Sequence, residues 1–187
     1  MLTAGSFADG KLDLPEAGRW HELVGGELVQ LDPPEMAHGN AVLNLSRALA
    51  VHLQDAGDAY ACFELGLVVA RDPDTVRCPA ISVFTEGEPF AESDRLVTET
   101  RPALVVEIAS GRQRRNDMPV RVQELLDWGV TCIWIVDPDD NRVHTVVADK
   151  GRTRLAGHET LKGAPVLPGF SITVAGVFVE PEWWTGR

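Results

Sequence analysis

Leu104-Val105-Val106-Glu107-Ile108-Ala109-Ser110 is an apolar run of strand-forming residues interrupted by a single carboxylate. Short blocks of β-branched and aliphatic residues form buried strands. A charge inside such a block is costly unless it is paired or holds a metal. Glu107 is therefore either matched to a nearby arginine or a ligand. The run that follows at once, Gly111-Arg112-Gln113-Arg114-Arg115, suits an anion approaching that end of the strand.

Before this strand the chain reads as alternating elements. Residues 1–16, rich in Gly, Asp and Pro, look like a loose lead-in to a single domain over 17–187. Trp20 to Val24 and Glu27 to Leu31 flank Gly25-Gly26, the signature of a tight β-hairpin. From Met36 to Ala56 the apolar residues Ala41, Val42, Leu45, Ala48, Leu49 and Leu53 follow helical spacing, which predicts one buried helix face. Ala59 to Arg71 and Val76 to Phe84 read as two antiparallel strands joined at Asp72-Pro73-Asp74. The acidic stretch 85–100 reads as a surface loop.

Beyond Ser110, Asp117 and Pro119 suggest the start of a short helix that ends at Gly129. Strands follow at Thr131–Val136, Arg142–Ala148 and about 152–157. The tail carries one or two short extended pieces and ends near Trp183-Trp184. The order implies an α/β to α+β fold: a mixed central sheet flanked by helices, with an N-terminal hairpin.

The net charge is −11. This argues against non-specific coating of nucleic acid but allows a local basic patch. Arg101, Arg112, Arg114, Arg115 and Arg121 against Glu107 and Asp117 give such a patch, with a balance of +3. They suit phosphate recognition, or equally a solvated set pairing with the 85–100 loop. Cys62, Cys78 and Cys132 lack metal-ligand spacing and read as buried free thiols of a reducing compartment. The N-terminus has no signal-peptide core and no run reaches membrane-spanning length. A soluble, cytoplasmic protein with no membrane association is expected.

The order of elements, and seven pieces within it, resemble the bacterial Uma-type family of restriction endonuclease-like proteins, which has the PD-(D/E)xK nuclease fold. The pieces are His21–Leu28, Pro34–His38, Val76–Pro79, Leu104–Ser110, Gly129-Val130, Ile133–Pro138 and Leu167–Phe170, within about Trp20 to Phe178. The resemblance implies hydrolysis of DNA by an Asp after the strand proline, the mid-strand Glu and a helix Lys. It implies Mg²⁺ or Mn²⁺ on the carboxylates, no organic cofactor, and a homodimer. Two carboxylates can hold the ion with open positions, and the lysine places positive charge beside the reacting phosphate.

Mapped residue by residue, Glu107 matches the Glu. The Asp position is Ala80 and the Lys position is Arg121. Asp74 lies roughly 20 Å along the strand from Ala80, too far to share a metal, and the Ser82 hydroxyl is a poor anchor. Glu64 on the partner strand is the best stand-in by position. Glu22 and Glu27 are further candidates because the family carries acids there. Lys11, Lys150 and Lys162 look badly placed to replace the lysine. Arg121 keeps the charge and could clamp a phosphate, but cannot act as a base. Catalytic candidates are thus Glu107, Arg121 and the altered position Ala80; metal candidates are Glu107, Glu64 and Glu27. Substrate-side candidates are Arg112, Arg114, Arg115, His38 and Ser110. A weak or inactive nuclease is expected; the alternative is a non-catalytic module that binds DNA or a protein partner.

Overall fold

A computed structural model describes residues 1–55 and 57–182. Ala56, the expected end of the long helix, and Trp183-Trp184 lie outside the described residues. The first correction comes at the start. Ala4–Lys11 is a helix, α1, with Ala4, Phe7 and Lys11 buried, where a loose lead-in was expected. A reciprocal Thr3–Ser6 capping box starts it, and Asp74 accepts from the Ala4 N–H at 2.7 Å. Phe7 then packs with Leu23, Val68 and Val76.

The hairpin forms as read, with β1 at His21–Val24 and β2 at Glu27–Gln30. Helix α2 spans Met36–Leu53. The expected strand pair is split in two. Glu64 adopts φ 52°, so the first strand breaks into β3 (Tyr60–Phe63) and β4 (Gly66–Ala70). Its partner becomes β5 (Thr75–Arg77) and β6 (Ile81–Phe84), broken at Cys78-Pro79-Ala80. The outer halves join the hairpin, and the inner halves join the central sheet. Val97–Thr98 (β7), within the expected loop, edges the first sheet.

The strand with Glu107 is β8, Leu104–Ile108. Helix α3 covers Gly111–Trp128, so the basic run and Asp117 lie inside it, and Ser110 rather than Asp117 is the N-cap. Gly129, in the left-handed region at φ 103°, ends it as expected. Then come β9 (Cys132–Asp137), β10 (Arg142–Val147), β11 (Gly151–Ala156), β12 (Thr160–Lys162), β13 (Ser171–Thr173) and a short helix α4 (Val174–Phe178).

The sheet orders are β2-β1-β5-β4-β7 and β11-β10-β9-β8-β6-β3, with β12-β13 as a separate pair. The six-stranded sheet is mixed, because β8 and β9 run parallel while its other neighbours are antiparallel. One face packs on Ala41, Leu45, Leu49 and Leu53 of α2, the other on Met118 and Leu125 of α3. Among the described residues no helix is long and apolar enough to cross a membrane.

Candidate active site

Two periodicities bring Glu107 and Arg121 together. Along β8, Leu104, Val106 and Ile108 point to the α2 side, while Val105 points to the α3 side. Glu107 shares the parity of Val105 and so faces α3. On α3 the buried residues are Arg114, Met118, Arg121 and Leu125, at helical i, i+4, i+7 and i+11 spacing. An arginine in this stripe lands over the strand carboxylate.

Arg121 is 1% exposed and binds two carboxylates. Its Nη1 and Nη2 donate to Glu22 at 2.6 and 2.8 Å. Its Nε and Nη2 donate to Glu107 Oε1 at 3.1 and 2.9 Å. Glu22 comes from β1 and is fully buried. It also accepts from Arg77 Nη1 at 3.1 Å and from the Cys78 N–H at 2.8 Å. Arg77, itself 2% exposed, is held in turn by Asp117 and Glu124 of α3. The hairpin, β5, β8 and α3 are therefore locked by one buried ionic network.

The two carboxyls titrate in opposite directions. Burial works against the charge on Glu22, yet Arg121, Arg77 and the Cys78 N–H hold its pKa down at about 2. Burial pushes Glu107 up; Arg121 pulls it back, and the neighbouring Glu22 charge adds to the rise. For Arg121, burial favours the neutral form, but Glu107 and Glu22 win and raise it well above the usual arginine value. The guanidinium is a permanent cation.

Ala80, at the position of the expected metal-binding Asp, joins the apolar core with Ile81 and Ile108. Glu64 is its neighbour: the Glu64 N–H donates to the Ala80 carbonyl at 3.4 Å. Both line, with Glu107, Cys78 and His38, a cavity of about 10 Å³. That is room for about one water. The Glu64 carboxylate pairs with Arg19 at 3.2 Å. Burial raises its pKa, and Arg19, Lys11 and Arg114 oppose the rise. Lys11 is the second correction. Helix α1 carries it to this region, 5% exposed, with its ammonium donating to Cys78 Sγ at 3.4 Å.

The remaining sequence candidates disperse. Glu27 is exposed at the start of β2 and lines neither the cavity nor its rim. Arg115 turns away to Asp137, Asp139 and the Ala109 carbonyl, not to the 85–100 loop. Arg112 is exposed. His38 and Ser110 meet, Nδ1 and Oγ sharing a hydrogen bond of 2.7 Å. This takes the hydroxyl that could have capped α3. Burial, then the Arg114 charge, lowers the His38 pKa to about 4. Arg114 itself is 8% exposed, lines the cavity and stands 5.9 Å from the Trp20 ring.

This donor set does not fit a divalent cation. Glu22 and Glu107 are bound by a permanent cation, Glu64 is paired with Arg19, and the third position is a methyl group. Among the described residues, no three of His, Cys, Asp and Glu converge as ligands. An ion bridging Glu22 and Glu107 would have to displace Arg121 from its buried partners.

Sequence reading did not single out Arg77 or Trp20, set Lys11 aside as badly placed, and named Glu22 only through the resemblance. The available signal for Arg77 was its position: a charge within the buried strand Thr75-Val76-Arg77 needs a partner, as Glu107 does.

Comparison with curated proteins gives no match. Among solved structures, the fold is shared with a protein titled a "putative nuclease belonging to DUF820" from Anabaena variabilis ATCC 29413. The TM-score is 0.74 at 19% identity, covering 91% of this chain and 96% of that one. The family model described as "Putative restriction endonuclease", Uma2, matches residues 9–175. With that span matched, the chain belongs to the Uma2 family.

Proposed function

We propose that this chain is a nuclease-family domain that has lost metal-dependent phosphodiester hydrolysis and retains a non-catalytic binding role. The observation that carries this reading is the buried Arg121 guanidinium shared by Glu22 and Glu107. Arg121 occupies the lysine position and is spent on internal partners. It neither reaches a phosphate nor accepts a proton. Glu107 has lost the freedom to act as a ligand, and Ala80 supplies no acid. Any DNA binding is then metal-independent, weakens with salt, and is made by a two-fold dimer, the commonest oligomer.

A second reading is a rebuilt nuclease in which Glu64 and Lys11 replace the lost groups. The observation favouring it is that Glu64 lies beside Ala80 while Lys11 reaches Cys78. Cleavage of plasmid and single-stranded DNA in Mg²⁺ or Mn²⁺ separates the two. The first reading expects wild type and Glu107→Ala to be equally inert. Activity abolished by Glu107→Ala, Glu64→Ala and Lys11→Ala alike would establish the second.

A further inference from the structure

Strand register puts four basic residues on one face of β10 and β11. Ile133, Ile135 and Val146 belong to the core on the α3 side of the sheet. Val146 pairs with Ile133 and with Arg152, and His144 pairs with Ile135 and with Arg154. Directly paired residues share a face, and so do residues two apart on one strand. Arg142, His144, Arg152 and Arg154 therefore all stand on the α3 side. The ring of His144 feels them: burial, first, and Arg152, second, lower its pKa, Asp137 opposes the fall, and Arg154 and Arg142 add to it.

Most of this charge is uncommitted. Arg152 and Arg154 are exposed and have no hydrogen bond or ion pair among the described residues. Arg142 has Asp140, at 3.5 Å. Between these strands and α3 lies an open cleft of about 450 Å³, with His144 and Arg152 lining its sheet side. Met118, Pro119 and Val122 give it an apolar helix wall. The acid in the cleft, Asp137, is already matched. It is paired with Arg115 and accepts from the Asp139 and Asp140 N–H groups at 3.2 and 3.3 Å. A concavity of this size, with an apolar wall and a few polar groups, suits a small molecule. Asp139 and Asp140, beside Asp137, would repel an extended polyanion at that end.

We infer that the cleft between α3 and the outer strands β10 and β11 is a binding site for a small organic oxyanion, its carboxylate or phosphate on Arg152 and His144 and its apolar body against Met118, Pro119 and Val122. Arginine suits this because its planar fork matches either group with two parallel hydrogen bonds. The site goes beyond the nuclease reading and uses neither a metal nor the Glu107 position.

The test is titration calorimetry at low salt with EDTA present, using thymidine 5′-monophosphate and benzoate as probes. Thymidine and benzamide are the neutral controls, and a thymidylate decamer is the polyanion. Variants are Arg152→Gln, His144→Phe, which removes both ring nitrogens, and Pro119→Glu, which adds a negative charge at an exposed rim position. Arg47→Gln, on exposed α2 surface, is the arginine control. Saturable binding of one oxyanion but not its neutral counterpart is expected. Arg152→Gln and His144→Phe should each weaken it by about tenfold or more. Pro119→Glu should weaken it by repulsion, and Arg47→Gln should leave it unchanged. Which probe binds tells phosphate from carboxylate. The inference is overturned if neither small oxyanion binds, if the decamer alone binds, or if Arg47→Gln weakens binding as much as the cleft variants. Chelation keeps the result separate from metal-dependent catalysis.

Discussion

Arg121 and Glu22 form a bidentate pair, Nη1 and Nη2 to the two carboxylate oxygens at 2.6 and 2.8 Å, with neither side chain more than 1% exposed. The pair joins the first hairpin to α3 across a sequence separation of 99 residues. Its geometry is that of fork-to-fork recognition, which lysine cannot reproduce.

Removing this cation should be severe. Arg121→Gln leaves Glu22 and Glu107 buried without their shared partner, and breaking a buried pair from one side costs about 3–5 kcal/mol. Arg121→Lys keeps the charge and should cost less. Urea denaturation of the three proteins measures both differences, and equal stability of Arg121→Gln and wild type would contradict the network described.

Stability should fall with acid in two stages. The His38 pKa is depressed from 6.5 to about 4, so the folded state favours the neutral ring. Its contribution is complete above pH 6.5 and is lost as pH falls to about 4, roughly 3 kcal/mol. Glu22, lowered from 4.5 to about 2, adds a second loss across that lower window. Glu107, raised by burial, acts in the opposite sense and favours folding most at low pH. Unfolding free energies measured from neutral to acid pH should show the upper stage flattened in His38→Gln. Parallel curves for the variant and wild type would rule out the His38 contribution.

The N-terminal helix should be integral to the fold. Phe7, 3% exposed against Leu23, Val68 and Val76, is its main anchor. Phe7→Ala should destabilise by about 3–5 kcal/mol and loosen Lys11 from Cys78. Denaturation midpoints test the first effect. Cys78 reactivity toward a thiol reagent tests the second, with faster modification expected in the variant.

The sheet, the hairpin and α2 were legible because their apolar residues repeat at periods of two and 3.6. The first half of α3 was not, because an arginine, Arg114, fills the first buried position of its stripe. Arg114 and Arg121 read as polar until Met118 and Leu125 are seen to share their face. Helix α1 was hidden by its composition, since Ala4, Phe7 and Lys11 carry all its buried contacts among Gly, Ser and Asp. The break at Glu64 left no mark either, because its left-handed backbone occurs at a non-glycine residue. Of the site, Glu107 was legible as a buried charge. An arginine partner was one of the two readings of that charge, but Arg121 was read as able to clamp a phosphate, because sequence spacing alone did not show that Glu22 folds against the same helix.

The central claim is that Arg121 takes the place of a metal between carboxylates that would otherwise bind one. Titration calorimetry with Mg²⁺ and Mn²⁺ on wild type, Glu107→Ala and the double variant Ala80→Asp with Arg121→Lys tests it directly. The account predicts no specific binding by wild type and binding gained in the double variant. Specific binding by wild type that disappears in Glu107→Ala would contradict it.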